Sequence, residues 1–265
     1  EHVKVEEPSV KRKRLDEPGR RYEVRTSRFL DIPGCPIAYW APDQVVNYFK
    51  EAKKLRDKAE LKQGLKTGDN KRFLKVWSEV SSCKLDLNIE SREHALESDK
   101  KWFPCVKGGE FRKWYGNNTF VVNWENGGEE IRNFTDEDGR LRSRPQNTEY
   151  YFREGITWTK VSSSNTSFRY VPPGCVFESN GSMCFPEKID SYDLIAFLNS
   201  DVAVYLLQIL TPTIDFGEGA LGRLPVPKSS QESDRSSQSC ISIAKTDWDS
   251  RETSWDFTQH PLIQQ

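Results

Sequence analysis

The chain has a single methionine, Met183, and only three histidines, His2, His94 and His260. It starts at Glu1 with one internal Met, and a piece of a longer protein is therefore the expectation. So few imidazoles, two of them near the ends, leave no convincing nucleophile–base pair for covalent catalysis. The six cysteines (Cys35, Cys83, Cys105, Cys175, Cys184 and Cys240) are scattered and contain no C-x-x-C pair. A structural zinc site wants clustered thiolates and imidazoles, and these are not clustered. No apolar run approaches the length needed to cross a bilayer and nothing resembles a signal peptide, which predicts a soluble chain with no membrane partner.

Signature loops are missing too. There is no P-loop and no G-x-S-x-G elbow. Gly217-Glu-Gly-Ala-Leu-Gly222 has the spacing of a dinucleotide-binding turn, but Pro225 and Pro227 follow where a helix should receive the pyrophosphate. Pro172-Pro173 stands between Val171 and Gly174, so it is not the N-P-P-Y signature of amino-group methyltransferases. No glycine-rich S-adenosylmethionine loop is visible, and paired-carboxylate chemistry has no spacing that would reveal it. The chain contains no recognisable catalytic centre and no metal site.

What it has in quantity is aromatic bulk and charge. Eight Trp, nine Tyr and fourteen Phe are enough to fill a sizeable core, although the hydrophobic fraction is 35% and the mean hydropathy -0.74. Four N-x-[ST] sequons (Asn117, Asn133, Asn165 and Asn180) and an even cysteine count leave open a secreted, β-rich glycan- or protein-binding module. Against it, a chain of this length does not need disulfide staples, and the cysteines read as mostly reduced and buried. A self-sufficient enzyme such as a nuclease would require a carboxylate cluster that the spacing does not show.

The net charge of -1 conceals a segregation. The windows 62–84, 100–115 and 139–172 each carry +4, so the rest of the chain holds -13. One basic face presented to phosphates fits this distribution, and so does a set of solvated surfaces.

Along the chain, residues 1–21 are charged and nearly free of core residues, as a linker or tail would be, and include a KRKR run at Lys11–Arg14. Residues 22–228 form the plausible globular unit. The polar stretch Ser229–Ser239 opens a last segment, 229–265, expected to be a linker and the start of something following. Pro42 to about Arg56 has helical spacing, as does Ser191–Leu210, which Pro212 ends. Between them, Arg72–Val80, Thr119–Trp124, Thr157–Val161 and Cys175–Glu178 read as strands, with tight turns at Asn126-Gly and Asp138-Gly. The pattern predicts an α+β fold, strand-rich at its centre and flanked by helices.

Several stretches in order carry a resemblance. They are Ile32–Trp40, Gly64–Leu74 with Trp77 and Glu79-Val80, Lys101–Asn117, Val122–Gly127, Glu154–Trp158, Leu198–Ser200 and Ala244–Phe257. Together they resemble the PglX-type adenine-specific DNA methyltransferases of bacterial BREX phage-defence systems, from about Tyr22 to Pro261. The resemblance implies that this chain is a target-recognition-type domain following a catalytic domain that lies outside it. It also implies double-stranded DNA as partner, S-adenosylmethionine as cofactor of the full-length enzyme but not of this segment, association with other BREX proteins, and a bacterial cytoplasmic location. At Asp215-Phe216 the chain departs from relatives, which commonly carry Asn before Phe.

Three basic segments are then the expected DNA contacts. In the first, Gly68 allows a tight turn that presents Lys66, Thr67, Asp69, Asn70, Lys71 and Arg72, with Asn70 suited to an adenine edge. Its alternative is an Asp-Asn turn that bonds its own backbone. In the second, Lys107, Arg112 and Lys113 flank paired glycines. In the third, Arg140, Arg142 and Arg144 alternate, so on an extended segment they share one side. Trp102, Trp114, Trp124 and Trp158 read as core side chains rather than stacking platforms.

Overall fold

The computed structural model describes residues 23–161, 166–211, 215–228 and 231–263. The linker expected at 1–21, Asn165 and Pro212 lie outside them. The chain divides into two compact units, Glu1–Ala52 and Lys53–Gln265. In the first, a 3-10 turn at Thr26–Asp31 leads to α1, Asp43–Glu51. Pro42 sits at its N-cap, where a missing N–H costs nothing. Arg28 reaches the side chain of Asp43 and the carbonyl of Ala41, and Lys50 pairs with Asp31 at 2.8 Å. The helix stops short of the expected Arg56. Residues 53–55 are committed elsewhere: Val226 N–H donates to the Lys53 carbonyl at 2.9 Å, and Leu55 N–H donates to that of Leu224 at 2.9 Å.

The second unit is an α+β fold with two four-stranded sheets. Its strands are β1 Ala59–Lys62, β2 Leu74–Val76, β3 Trp102–Val106, β4 Phe120–Asn123, β5 Gly155–Trp158, β6 Phe168–Val171, β7 Val176–Phe177 and β8 Met183–Pro186. One sheet runs β1-β8-β5-β6 and is antiparallel throughout. The other runs β2-β4-β3-β7, with β3 and β7 parallel. The chain passes directly from the second sheet to the first between β7 and β8. All four residues of β5 are buried, so its sequence, Gly-Ile-Thr-Trp, shows no alternation. The core is largely aromatic: Tyr151 packs edge-on between Trp124 and Phe177, 5.1 Å from each, with Phe103, Phe152 and Phe185 around it. Trp124 and Trp158 are core residues, while Trp102 and Trp114 are half-buried.

The helices of this unit are α2 Asn70–Phe73, α3 Arg92–Glu97, α4 Glu125–Arg132, α5 Ser191–Leu198, α6 Asp201–Leu210, α7 Glu218–Leu221 and α8 Gln231–Asp249. The stretch 191–210, expected as one helix, is two, bent by 69°. The cause is Asn199, whose side chain accepts from Phe168 N–H and donates to Phe168 C=O, both at 3.0 Å, completing the edge of β6. Ser200 then caps α6 through Ala203 N–H. The polar stretch after Ser229 is helical from Gln231, and α8 packs against α5 with Ser237, Ile241 and Trp248 buried. Asn126 and Gly127, the expected turn, open α4 as left-handed residues at φ 51° and 69°.

The six cysteines are all free. Only Cys105 and Cys184 are fully buried; Cys35 and Cys83 are exposed, which corrects the expectation that most would be inside. Among the described residues, no single helix is long and apolar enough to cross a membrane, and no group of three or more His, Cys, Asp or Glu could hold a metal ion.

Candidate nucleic-acid interface

The outer side of β7 carries the loop of the first basic segment. Leu65 lies parallel beside Glu178, held by Leu65 N–H to Phe177 C=O at 2.9 Å and Ser179 N–H to Leu65 C=O at 3.0 Å. Gly64 makes this approach possible, because a Cβ there would fall 1.9 Å from the Phe177 oxygen. Lys66 then pairs with Arg144 in both directions, at 3.0 and 2.7 Å. That pairing brings together two of the three basic segments, which are more than sixty residues apart.

Within the loop, Gly68 has φ +73° and sits so close to Arg142 C=O that a Cβ would be 2.6 Å from the oxygen. Asp69 caps α2 by accepting from Arg72 N–H at 3.1 Å. Thr67 is buried and donates to the Asn70 side-chain oxygen. Thr67 and Asp69 therefore build the turn, whereas Asn70 and Lys71 are exposed on it.

The third segment is one arm of a hairpin. Asp136 folds the tip by accepting from Asp138 N–H at 3.0 Å and Arg140 N–H at 2.8 Å, and Thr135 faces Leu141 across it. Ser143 is buried while Arg140, Arg142 and Arg144 are exposed, the alternation an extended segment requires. Arg140 pairs with Asp138 at 3.5 Å and Arg142 lies over the Phe134 ring. Lys66, Lys71 and the Arg144 side chain have no partner among the described residues.

Arg72 is different. Its Nε and Nη2 donate to Oε1 of Glu130 at 2.8 and 2.6 Å, and its guanidinium lies 5.0 Å from the Phe73 ring and 5.2 Å from Phe134. Glu130 also accepts from Asn123 at 2.6 Å and from Lys101 at 3.3 Å. Arg72 first, then Asn123 and Lys101, hold the Glu130 carboxyl below its ordinary range, against the opposing effect of burial. An open groove of about 500 Å³ lies here, lined by Arg72, Glu129, Glu130, Asn133, Phe134 and Thr135. Sequence reasoning missed Glu130 because 58 residues separate it from Arg72 and no spacing links them.

The second segment does not join this surface as a unit. Lys107 sits over the Phe120 ring at 4.4 Å. Arg112 donates to Asp247 at 2.9 Å and stacks on Trp248, while Lys113 donates to the Asn199 carbonyl at 2.8 Å. Arg112 and Lys113 fasten α8 and the α5–α6 bend.

No family model matches the chain. It is 39% identical over 246 residues to the adenine-specific methyltransferase PglX of Lacticaseibacillus casei (strain Zhang), covering 91% of this chain and 20% of that protein. The chain is a homologue of one segment of PglX-type proteins. A second relative, the adenine-specific methyltransferase BrxX of Escherichia coli O9:H4 (strain HS), is 38% identical over 240 residues, 89% of this chain and 18% of that protein. The chain thus spans about a fifth of the length of the PglX-type relatives it matches. The aligned lengths take in most of the compact unit from Lys53 onward, so both sheets and the loop-and-hairpin surface lie in the region aligned with these relatives.

Proposed function

We propose that this chain is the DNA-recognition segment of a PglX-type adenine-specific DNA methyltransferase of BREX-type phage defence, acting in the bacterial cytoplasm. The observation that carries the reading is the hydrogen-bonded junction of Lys66 and Arg144, which gathers Lys66, Lys71 and Arg144 as exposed cations without internal counter-charge. Unneutralised cations on adjoining backbone segments suit phosphates on one side of a duplex, where each contact releases counterions. An enzyme that methylates an adenine amine must extrude the base, and a separate segment that holds the flanking duplex supports that distortion.

S-adenosylmethionine belongs, in this reading, to a catalytic region outside the chain. The Gly217–Gly222 pattern does not offer it a site: Gly217 and Gly222 bracket the four-residue helix α7, too short to offer a phosphate- or cofactor-binding N-terminus. The partners are duplex DNA, the catalytic region of the same polypeptide and other defence proteins.

The test is binding of the full-length protein to a short labelled duplex across a salt series. Replacing Lys66, Lys71 and Arg144 together by alanine should flatten the slope of log affinity against log salt by about 2.7, at about 0.9 per phosphate. Arg112→Ala, which removes a cation already paired with Asp247, should leave the slope unchanged. A triple variant that matches the wild type at every salt concentration would sink the reading.

A further inference from the structure

We propose that Arg72 reads a guanine in the major groove, with Glu130 as its positioning residue, rather than gripping phosphate as its neighbours do. The inference rests on the DNA-binding reading above and divides the labour within the same surface.

The guanidinium of arginine carries five N–H donors. Two of them, on Nε and Nη2, are spent on the single oxygen Oε1 of Glu130. What remains is the far edge, both donors of Nη1 and the second of Nη2, a planar fork that matches the O6 and N7 acceptors of guanine. The fork is held in place. Phe73 and Phe134, an edge-to-face pair 5.1 Å apart, together pack against one side of it, and Asn123 and Lys101 bond the carboxylate behind it. The side chain is still 50% exposed, and it borders the open groove.

Charge decides between base and phosphate. The groove is lined by one guanidinium and two carboxylates, Glu129 and Glu130, and the Arg72 charge is already met by Glu130, which Lys101 bonds from behind. A phosphate entering it would meet the Glu130 carboxylate directly behind Arg72, the one cation among the described residues that line the groove. A base edge carries no net charge, and what it needs is fixed direction, which the Glu130 bonds supply. Glu129 is exposed beside the fork and is an acceptor of the kind that takes the N4 amine of the paired cytosine. Lys66, Lys71 and Arg144 have the opposite character, with free charge and no imposed direction.

The experiment selects bound duplexes from a random-sequence library with the full-length protein and its variants, and measures salt dependence on the winning duplex. Wild type should enrich a motif containing a strongly preferred guanine. Arg72→Ala, and Arg72→Lys, which keeps the charge but loses the fork, should each lower preference at that one guanine by roughly 5- to 150-fold with the salt slope unchanged. Glu130→Ala should relax the same position. Lys71→Ala should do the converse, keeping the motif and lowering the slope by about 0.9. An unchanged motif with a flatter slope in Arg72→Ala makes Arg72 a phosphate contact and overturns the proposal. An unchanged motif and slope in Arg72→Lys and Arg72→Ala makes its pairing purely structural, with the same consequence. A wild type that binds no duplex overturns the DNA reading itself, and this inference with it.

Discussion

Replacing Trp248 by alanine removes the ring near the end of α8 that lies under the Arg112 guanidinium at 5.1 Å and against Gly116, where even an added Cβ would meet it at 2.9 Å. Trp248 is only 7% exposed, so little of the space can be reclaimed by solvent or by neighbours. Truncating a buried Trp costs roughly 3–5 kcal/mol. Arg112 keeps its ion pair with Asp247 but loses the aromatic face, a smaller effect of about 0.5–1 kcal/mol. For a unit of this size each kcal/mol lowers the melting temperature by about 2–4 °C. The expected drop is therefore roughly 7–24 °C, read by far-UV circular dichroism on the 265-residue chain. Leu262→Ala, at a residue 84% exposed, is the control and should shift nothing measurable. A Trp248→Ala melt within about 2 °C of wild type would refute the docking of α8. So would a transition in which helical signal is lost early while the sheets melt unchanged, since α8 would then unfold by itself.

Two further outcomes follow from the chemistry of single groups. The Glu130 carboxyl is held below its ordinary range, so its contribution to stability is complete above that range and is lost as pH falls through the depressed value. Denaturant titrations should find Glu130→Gln less stable than wild type at neutral pH, with the deficit vanishing in acid; a deficit constant across pH would mean that its charge is not what matters. In native protein, Cys35 and Cys83 should react quickly with a thiol reagent, whereas Cys105 and Cys184, both buried and with the Cys184 thiol pushed up to about 12, should react only after unfolding. Rapid native modification of Cys184 would contradict its place in β8.

How much was legible depended on how far apart the deciding partners lie in sequence. The Asn126-Gly127 turn, the apolar face of α1 and the alternation of Arg140, Arg142 and Arg144 are local facts, and the structure has them where the sequence points. The bend at Asn199 is not local. It is made by two bonds to Phe168, 31 residues earlier, and nothing in the helical periodicity of 191–210 announces them. The helix α8 was hidden because its buried face includes Ser237, a residue that reads as polar linker until α5 covers it. The same limit mis-sorted the cations. Arg112 and Lys113 look like free charge until Asp247 and the Asn199 carbonyl, 135 and 86 residues away, are seen to take them. Conversely, the loop at Lys66 and the arm at Arg144 gain their meaning from a pairing that neither segment declares.

The hairpin that carries Arg140, Arg142 and Arg144 is joined to the rest of the fold at its base, through Lys66 and Phe134, and not at its tip. Around Gly139 an added side chain would touch nothing within 4 Å. The tip can therefore lengthen, shorten or change composition without disturbing the aromatic core or either sheet. The reach of the arm can change by small insertions while the registered junction at Lys66 preserves its direction. The hairpin is in that sense the replaceable part of the molecule, and the sheets are its fixture.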